Sequence, residues 1–557
     1  MSSRFVGKPD ACIANQSDFI ISQRTQRPLR CDRIEMNNSR IGRSAVLREG
    51  FEYLFSRVDP VAGAHIDPVA TAVYETLVAK GPDGEALPFL AESWTVSAER
   101  TEWRFRLRPG VHFHSGAACD AVAVVRALER CRWGDARTRQ MQYFDPVDTI
   151  TDDGPQTVVV RTHYPTTRLM QALWGTHSLI FNEALRARDV SAYGETVADG
   201  TGPYRLGSWS PGRVTAALAP TYSGTALPFV SRGSSQAMMP RIEWTAVRDE
   251  VERLAMLRSG KLDCLHAPPA SAYEELAADT RFVTGRAPQP SSIYLGLNWA
   301  RRDLGFDDLR VRRAVSIAID RERLVKSVLH GHGAPTWGVV PPGSEFYDDA
   351  ADRAGRCDPK GAAELLDAAG WVPGADGLRW RNGVALQVEC VVQDDSVLEA
   401  VARAVAVQLR PLGIALEIEA VEPFASFYAR ISQGPASFLS KWLWPDPIDA
   451  LVGFLSTGCQ PRPNWQRASV PRLDLCFDRF RCAPTRTEAA AAARDVQAIA
   501  VETLPTIPLL SPHDLWVHRS DVSGWRPAPE NLYPFYQDVV LNGGLEPQRR
   551  LDALHDT

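Results

Sequence analysis

The residues best suited to chemistry lie between Ser440 and Asp449, in the run Ser-Lys-Trp-Leu-Trp-Pro-Asp-Pro-Ile-Asp. Trp442 and Trp444 stand one residue apart, and Asp446 is held between Pro445 and Pro447. Proline fixes φ and removes a backbone donor, so Asp446 belongs to a stiff loop rather than a helix. The two indoles offer flat apolar faces with a polar N–H at the edge. A rigid acid beside such a wall suits a cationic group on a ligand. The same residues also fit a buried tryptophan loop between two core elements, and the rest of the chain has to decide. Other chemistry is sparse. His112 and His114 at i, i+2, and His330 and His332 in a glycine loop, have no third ligand nearby in the sequence, so no metal site is expected. The chain contains no H-E-x-x-H, no G-x-S-x-G and no G-x-x-x-x-G-K-[ST], and neither a catalytic residue nor a cofactor is predicted.

The elements that would position these residues follow from pattern. Val46–Phe55 reads as a strand and Ala70–Leu77 as a helix carrying Tyr74. Trp103, Phe105 and Leu107 alternate with Arg104, Arg106 and Arg108, the period of a half-buried antiparallel strand. After the Pro109-Gly110 turn, Val111 and Phe113 predict a second short strand, and Asp120–Cys131 a helix. Val311, Ala314, Val315, Ala318 and Ile319 form one apolar helical stripe. Asp320 caps a further helix that Gly331 ends. Asp358, Pro359 and Gly370 delimit another. Val388–Val392, a helix through Ala400–Leu409 and Ile414–Ala420 make a strand–helix–strand unit, as a parallel sheet requires.

At 557 residues the chain exceeds one hydrophobic core, which predicts two or three domains. Hydrophobic residues make up 45%, charged residues 23%, and the net charge is −5 without long like-charge blocks, so no nucleic-acid footprint is expected. No apolar run approaches the ~18 residues of a membrane span. Residues 1–44 are polar, lack the apolar core of a secretory leader, and are expected to form a mobile or loosely packed extension. Cys459, Cys476 and Cys482 cluster in sequence, so one bridge or a set of reduced thiols is expected there.

Several blocks carry a resemblance. Leu87-Pro-Phe-Leu-Ala-Glu-Ser-Trp94 precedes an alternating strand that ends Leu107-Arg-Pro-Gly-Val-His-Phe-His-Ser-Gly116. Further on come Gly200-Thr-Gly-Pro-Tyr204 with Trp209-Ser-Pro-Gly212, Ser259-Gly-Lys-Leu-Asp263 and Tyr294-Leu-Gly-Leu-Asn298. The stretch from Val311 to Gly343, the helix from Asp358 to Trp371, and Leu504–Leu509 with Val522–Trp525 complete the series. Together they resemble, in order, the family 5 solute-binding proteins, the peptide, dipeptide, nickel and opine receptors of ABC importers.

The resemblance implies an α/β, two-lobed periplasmic-binding-protein-like fold of type II, with mixed sheets flanked by helices and a ligand cleft between the lobes. Lobe I is expected from 45–70, 200–286 and 505–545, an extra subdomain from 71–199, lobe II from 287–504, and a tail from 546–557. Pro288-Gln-Pro290 and Pro505-Thr-Ile-Pro508 are stiff segments at the implied crossings. In similar peptide receptors an acid in a tryptophan loop accepts the ligand's amino group. Asp446 is either that acid or the later, structural Asp of the pattern, with Trp444 or Pro445 then in the ligand position. Some dipeptide receptors carry an arginine where this chain has Gln393-Asp394-Asp395, which implies a ligand with a basic group unless these acids are merely solvated. The implied ligand-binding set is Asp446, Trp444, Trp442, Tyr74, Asp394 and Asp395. Cys459 matches the first cysteine of a disulfide loop in some relatives, and Cys476 is its nearest partner. The implied role is that of a non-enzymatic, extracytoplasmic, monomeric receptor partnered by membrane permease subunits. Because no leader is read at the start, an intracellular sensor or biosynthetic accessory protein on the same fold stays open, and behind it a peptide-processing enzyme.

Overall fold

The computed structural model describes residues 46–52, 57–61, 68–81, 84–133, 143–220, 222, 238–422, 424–443, 447–526 and 536–541, with 68, 424, 425, 447 and 449 described by backbone alone. The segments expected as an N-terminal extension and a C-terminal tail, 1–44 and 546–557, lie outside the described residues, as do Trp444, Pro445 and Asp446.

One 12-stranded sheet runs through the molecule. Its strands are β1 (Val46–Phe51), β2 (Tyr204–Ser210), β3 (Arg213–Leu218), β4 (Arg241–Ala246), β5 (Cys264–His266), β6 (Phe282–Pro288), β7 (Ser291–Leu297), β8 (Gly333–Pro335), β9 (Gln387–Gln393), β10 (Ala415–Val421), β11 (Ser437–Leu443) and β12 (Ile507–Arg519). Along the sheet the order is β10-β9-β11-β7-β12-β5-β1-β4-β3-β2, with β6 and β8 also paired to β12. The sequence is therefore folded as two half-sheets that share β12, the two-lobed architecture in strand terms.

Two segments join the halves. Pro288 ends β6 and Ser291 begins β7, with Gln289 and Pro290 between them. The second crossing differs. Ile507 and Leu510 pair with β7 in the second half, and His513 to Arg519 pair with β6 in the first. The chain therefore passes over within β12, around Pro512, several residues beyond the proline-rich run at Pro505. A strand can serve two sheets because its ladder groups point both ways, a non-local property that prolines do not signal. Pro341-Pro342-Gly343 buttresses the first crossing: Gly343 has φ +82°, and a Cβ there would stand 2.8 Å from Pro288 Cβ. Only glycine accepts both conditions at no steric cost.

Local rules account for the helices. Asp320 accepts from Arg323 N at 2.9 Å and Asp358 from Gly361 N at 2.9 Å, as N-caps should. Gly331 and Gly370 follow with φ of +86° and +85°. The second half-sheet is buried on both faces. Ile293, Leu295, Val388, Cys390 and Leu439 pack into one core beneath the helices Leu309–Ala318 and Ser396–Leu409, while Tyr294, Val391, Phe438 and Trp442 pack into another beneath Pro471–Arg481 and Arg486–Thr503. All seven residues of β7 are buried, so it reads as a continuous run rather than an alternation. In the subdomain, Glu102–Leu107 buries Trp103, Phe105 and Leu107 within a four-stranded antiparallel sheet whose core is continuous with that of the first half. The strand expected at Val111–Phe113 is instead a tight turn: Phe113 N bonds to Ala117 O at 2.9 Å, leaving only an isolated bridge at His112.

Candidate functional site

In the first half, β1 lies between β4 and β5 and runs parallel to both. In the second, β9 lies between β10 and β11 and is parallel to both. Open α/β sheets bind ligands outside the carboxyl ends of such strands, where neighbouring connections diverge. Those ends are Phe51, Ala246 and His266 in one half and Gln393, Val421 and Leu443 in the other. They meet across one crevice. Arg248, just past β4, donates Nη1 to Glu422 Oε1, just past β10, at 3.0 Å. A second bridge joins the subdomain to the second half: Arg481 Nη2 lies 2.6 Å from Asp145 Oδ2, and Thr167 N bonds to Ala483 O. With β12 at its base, the crevice is bracketed on several sides.

The wall from the first half is aromatic with one buried acid. Glu49 on β1 is fully buried and accepts from Trp525 Nε1 at 3.0 Å and from Tyr536 Oη at 2.6 Å, with His266 Nε2 at 2.6 Å. Phe51 stacks on the His266 ring at 4.4 Å and 22°, and Trp525 meets its edge at 4.9 Å. Burial, then the Glu49 charge, push the Tyr536 phenol well above its ordinary pKa, so it stays a donor. Close by, Asp514 on β12 is part-buried, and burial raises its carboxyl above the usual range while His266 draws it back.

The wall from the second half is acidic. Asp394 is exposed past β9, and slight desolvation, followed by the charges of Glu422 and Glu399, raises its pKa. Asp395 acts locally. It caps Ser396–Leu409 by accepting from Val397 N at 2.9 Å and Leu398 N at 3.0 Å, and it pairs with Lys441 at 3.4 Å. Burial opposes its charge, but Lys441 and the helix N–H groups prevail and hold its pKa below the ordinary value. Among the described residues at these strand ends, the acids Asp394, Asp395, Glu399, Glu422 and Asp514 exceed the cations Arg248, Arg253 and Lys441. Of these cations, Arg253 is already occupied by the carbonyls of Val247 and Arg248.

The residues expected from the sequence separate accordingly. Asp394 and Asp395 reach the crevice rim, Asp395 mainly as a cap. Trp442 is 7% exposed on β11 and packs in the core with Phe438 and Trp465, so its indole is a packing group rather than a cleft surface. Tyr74 is 1% exposed in the core of the first half, and its hydroxyl donates to Val58 O at 2.8 Å. Cys459 and Cys476 are both free thiols, Cys476 turned into the core from the helix Pro471–Arg481, which corrects the bridge entertained between them. Trp444 and Asp446 fall outside the described residues. Sequence reasoning missed Phe51, His266, Glu422 and Asp514. The available signals were weak: one acid, Glu422, just past a strand, and a lone Asp in the mixed stretch Leu509–Val517. Among the described residues no group of three or more His, Cys, Asp or Glu is placed to hold a metal ion, and no helix is long and apolar enough to cross a membrane.

The model of the bacterial extracellular solute-binding proteins, family 5 middle region, matches residues 85–462. The chain belongs to this family. Among curated relatives, the glutathione-binding protein GsiB of Salmonella paratyphi A is 27% identical over 358 residues, covering 64% of this chain and 65% of that protein. The chain thus spans about 65% of the length of the curated relatives it matches. Among solved structures, the oligopeptide-binding protein AppA of Bacillus subtilis, in complex with a nonapeptide, aligns with a TM-score of 0.75 at 17% identity over 89% of this chain and 98% of that one. NikZ from Campylobacter jejuni, in complex with Ni(L-His), aligns with a TM-score of 0.74 at 21% identity over 86% of this chain and 95% of that one. At these identities the likeness is one of fold, and this family 5 chain shares with them the two lobes and the crevice.

Proposed function

We propose that this chain is the extracytoplasmic solute receptor of an ABC importer, capturing a peptide or peptide-like ligand that carries a basic group and presenting it to the membrane permease. The observation that carries this reading is the crevice: two sets of parallel-strand carboxyl ends face each other across a hinge of two segments, and their charged side chains are predominantly acidic. Family membership and the bound or named ligands of the relatives support a peptide-sized solute. The acids narrow it. A ligand carboxylate brought beside Asp394, Glu399 and Glu422 is repelled, whereas an ammonium or guanidinium is attracted. Trp444 and Asp446, which follow directly on β11 in the sequence, are included in the proposed binding set.

Isothermal titration calorimetry with Ala-Arg, Ala-Ala, Ala-Asp and glutathione tests the reading. Ala-Arg is expected to bind tightest, while Ala-Asp and glutathione, each with two carboxylates, bind weakest. Equal or tighter binding of the acidic peptides defeats the basic-ligand reading, and absence of any binding defeats the receptor reading.

A further inference from the structure

We infer that Asp514, on the strand that joins the two halves, is the anchor for a cationic nitrogen of the ligand, in a subsite walled by Phe51, His266 and Trp516. The inference rests on the receptor reading and adds a residue in the first half to it.

Position comes first. β12 runs antiparallel to β5, pairing His266 with Trp516 and bonding Ala267 N to Leu515 O at 2.9 Å. Asp514 therefore lies two residues beyond the carboxyl end of β5, at the crevice edge of the first half-sheet and next to the crossing at Pro512. Strand alternation then assigns faces. Leu515 and Val517 are turned outward toward the helices Glu250–Arg258 and Tyr273–Ala278, where Val517 joins Leu254 and Leu276 in a small core. Asp514 and Trp516 share the opposite face, on which Trp516 packs against the main core. Gly285 leaves room for that indole, since a Cβ there would lie 2.2 Å from its ring.

Chemistry comes second. Asp514 is part-buried, and among the described residues its carboxylate has neither a hydrogen bond nor an ion pair. The charged partner that acts on it is His266, whose Nε2 is already committed to Glu49 at 2.6 Å. A carboxylate withdrawn from water without a donor is unfavourable, and proteins satisfy such groups with a counter-charge. The Phe51 ring stacked on His266, and Trp516 two residues along the same face of β12, lower the local polarity, which strengthens a charge pair and adds cation–π attraction. The helix-capping Asp395 and the network-bound Glu49 each have their donors; Asp514 has a wall, an opening and no donor.

Calorimetry on the full chain and on D514N tests this with Ala-Arg, N-acetyl-Ala-Arg and Ala-citrulline, which carry both cations, the side-chain cation only and the amino terminus only. Asn keeps the shape and removes the charge. D514N is expected to weaken Ala-Arg by about 10- to 100-fold, the size of a charge-assisted hydrogen bond. That loss should persist with one single-cation analogue and vanish with the other, which identifies whether the amino terminus or the side chain sits on Asp514. An unchanged affinity, an equal loss with all three ligands, or a D514N protein that fails to fold each assigns Asp514 a different role and overturns the inference while leaving the receptor reading intact. No binding of any probe to the unmodified chain removes both.

Discussion

Glu49, within β1, and Asp394, just past β9, belong to the two parallel-strand sets that face the same crevice, yet they are opposite in character. Glu49 is fully buried in the first half and surrounded by the donors of Trp525, Tyr536 and His266. Asp394 is exposed in the second half and surrounded by other acids. An acid whose lone pairs are already filled by the chain serves the fold. An acid left facing like charge, or facing nothing, is held for something the chain does not supply.

The contrast can be broken most sharply at Glu49. Glu49→Ala leaves two aromatic donors and an imidazole without their acceptor, and a loss of about 3–5 kcal/mol is expected in urea denaturation. A loss below ~1 kcal/mol would remove the distinction between the two regions. Asp395 is the intermediate case. Asp395→Ala should lower stability by about 1–2 kcal/mol through the lost cap and ion pair. Its folded pKa is depressed, so its contribution is present above the unfolded value of about 3.9 and disappears as pH falls through the folded one. The gap between the unmodified protein and D395A should therefore be constant near pH 7 and close under acid conditions; a gap that widens below pH 4 contradicts the assignment.

Asp394→Asn should leave the melting temperature unchanged and reduce affinity for an arginine dipeptide by about 2- to 5-fold, since the charge is exposed and screened. A change in stability instead of affinity would place Asp394 with Glu49. The smallest effect is expected at the rim. Arg248→Ala removes a solvent-exposed pair with Glu422 and should alter stability by less than ~1 kcal/mol. Small-angle scattering of R248A and the unmodified chain without ligand would reveal whether that pair also restrains the spacing of the two halves.

Much of the fold was legible in the sequence because its determinants are local. Asp320 and Asp358 announce helices through the residues two or three places on, and Trp103, Phe105 and Leu107 announce a strand by alternation. The candidate site was less legible because its determinants are relations between distant segments. Nothing near Tyr74 in the chain states that its hydroxyl meets Val58, and the burial of Trp442 follows from helices some thirty to sixty residues later. Asp514, between His513 and Leu515, carries no local signal of its own. Its meaning depends on β5 and β6, more than two hundred residues earlier, and on the change of sheet partner just before it.

That change of partner has a mechanical side. A strand shared by two half-sheets carries its right-handed twist from one into the other. Pro512 sits where the ladder to β8 ends and the ladder to β6 begins, and it has no N–H to contribute to either. The strand thus changes sheet at a residue that gives no N–H to either ladder, one residue from His513 and two from the acid proposed to hold the ligand.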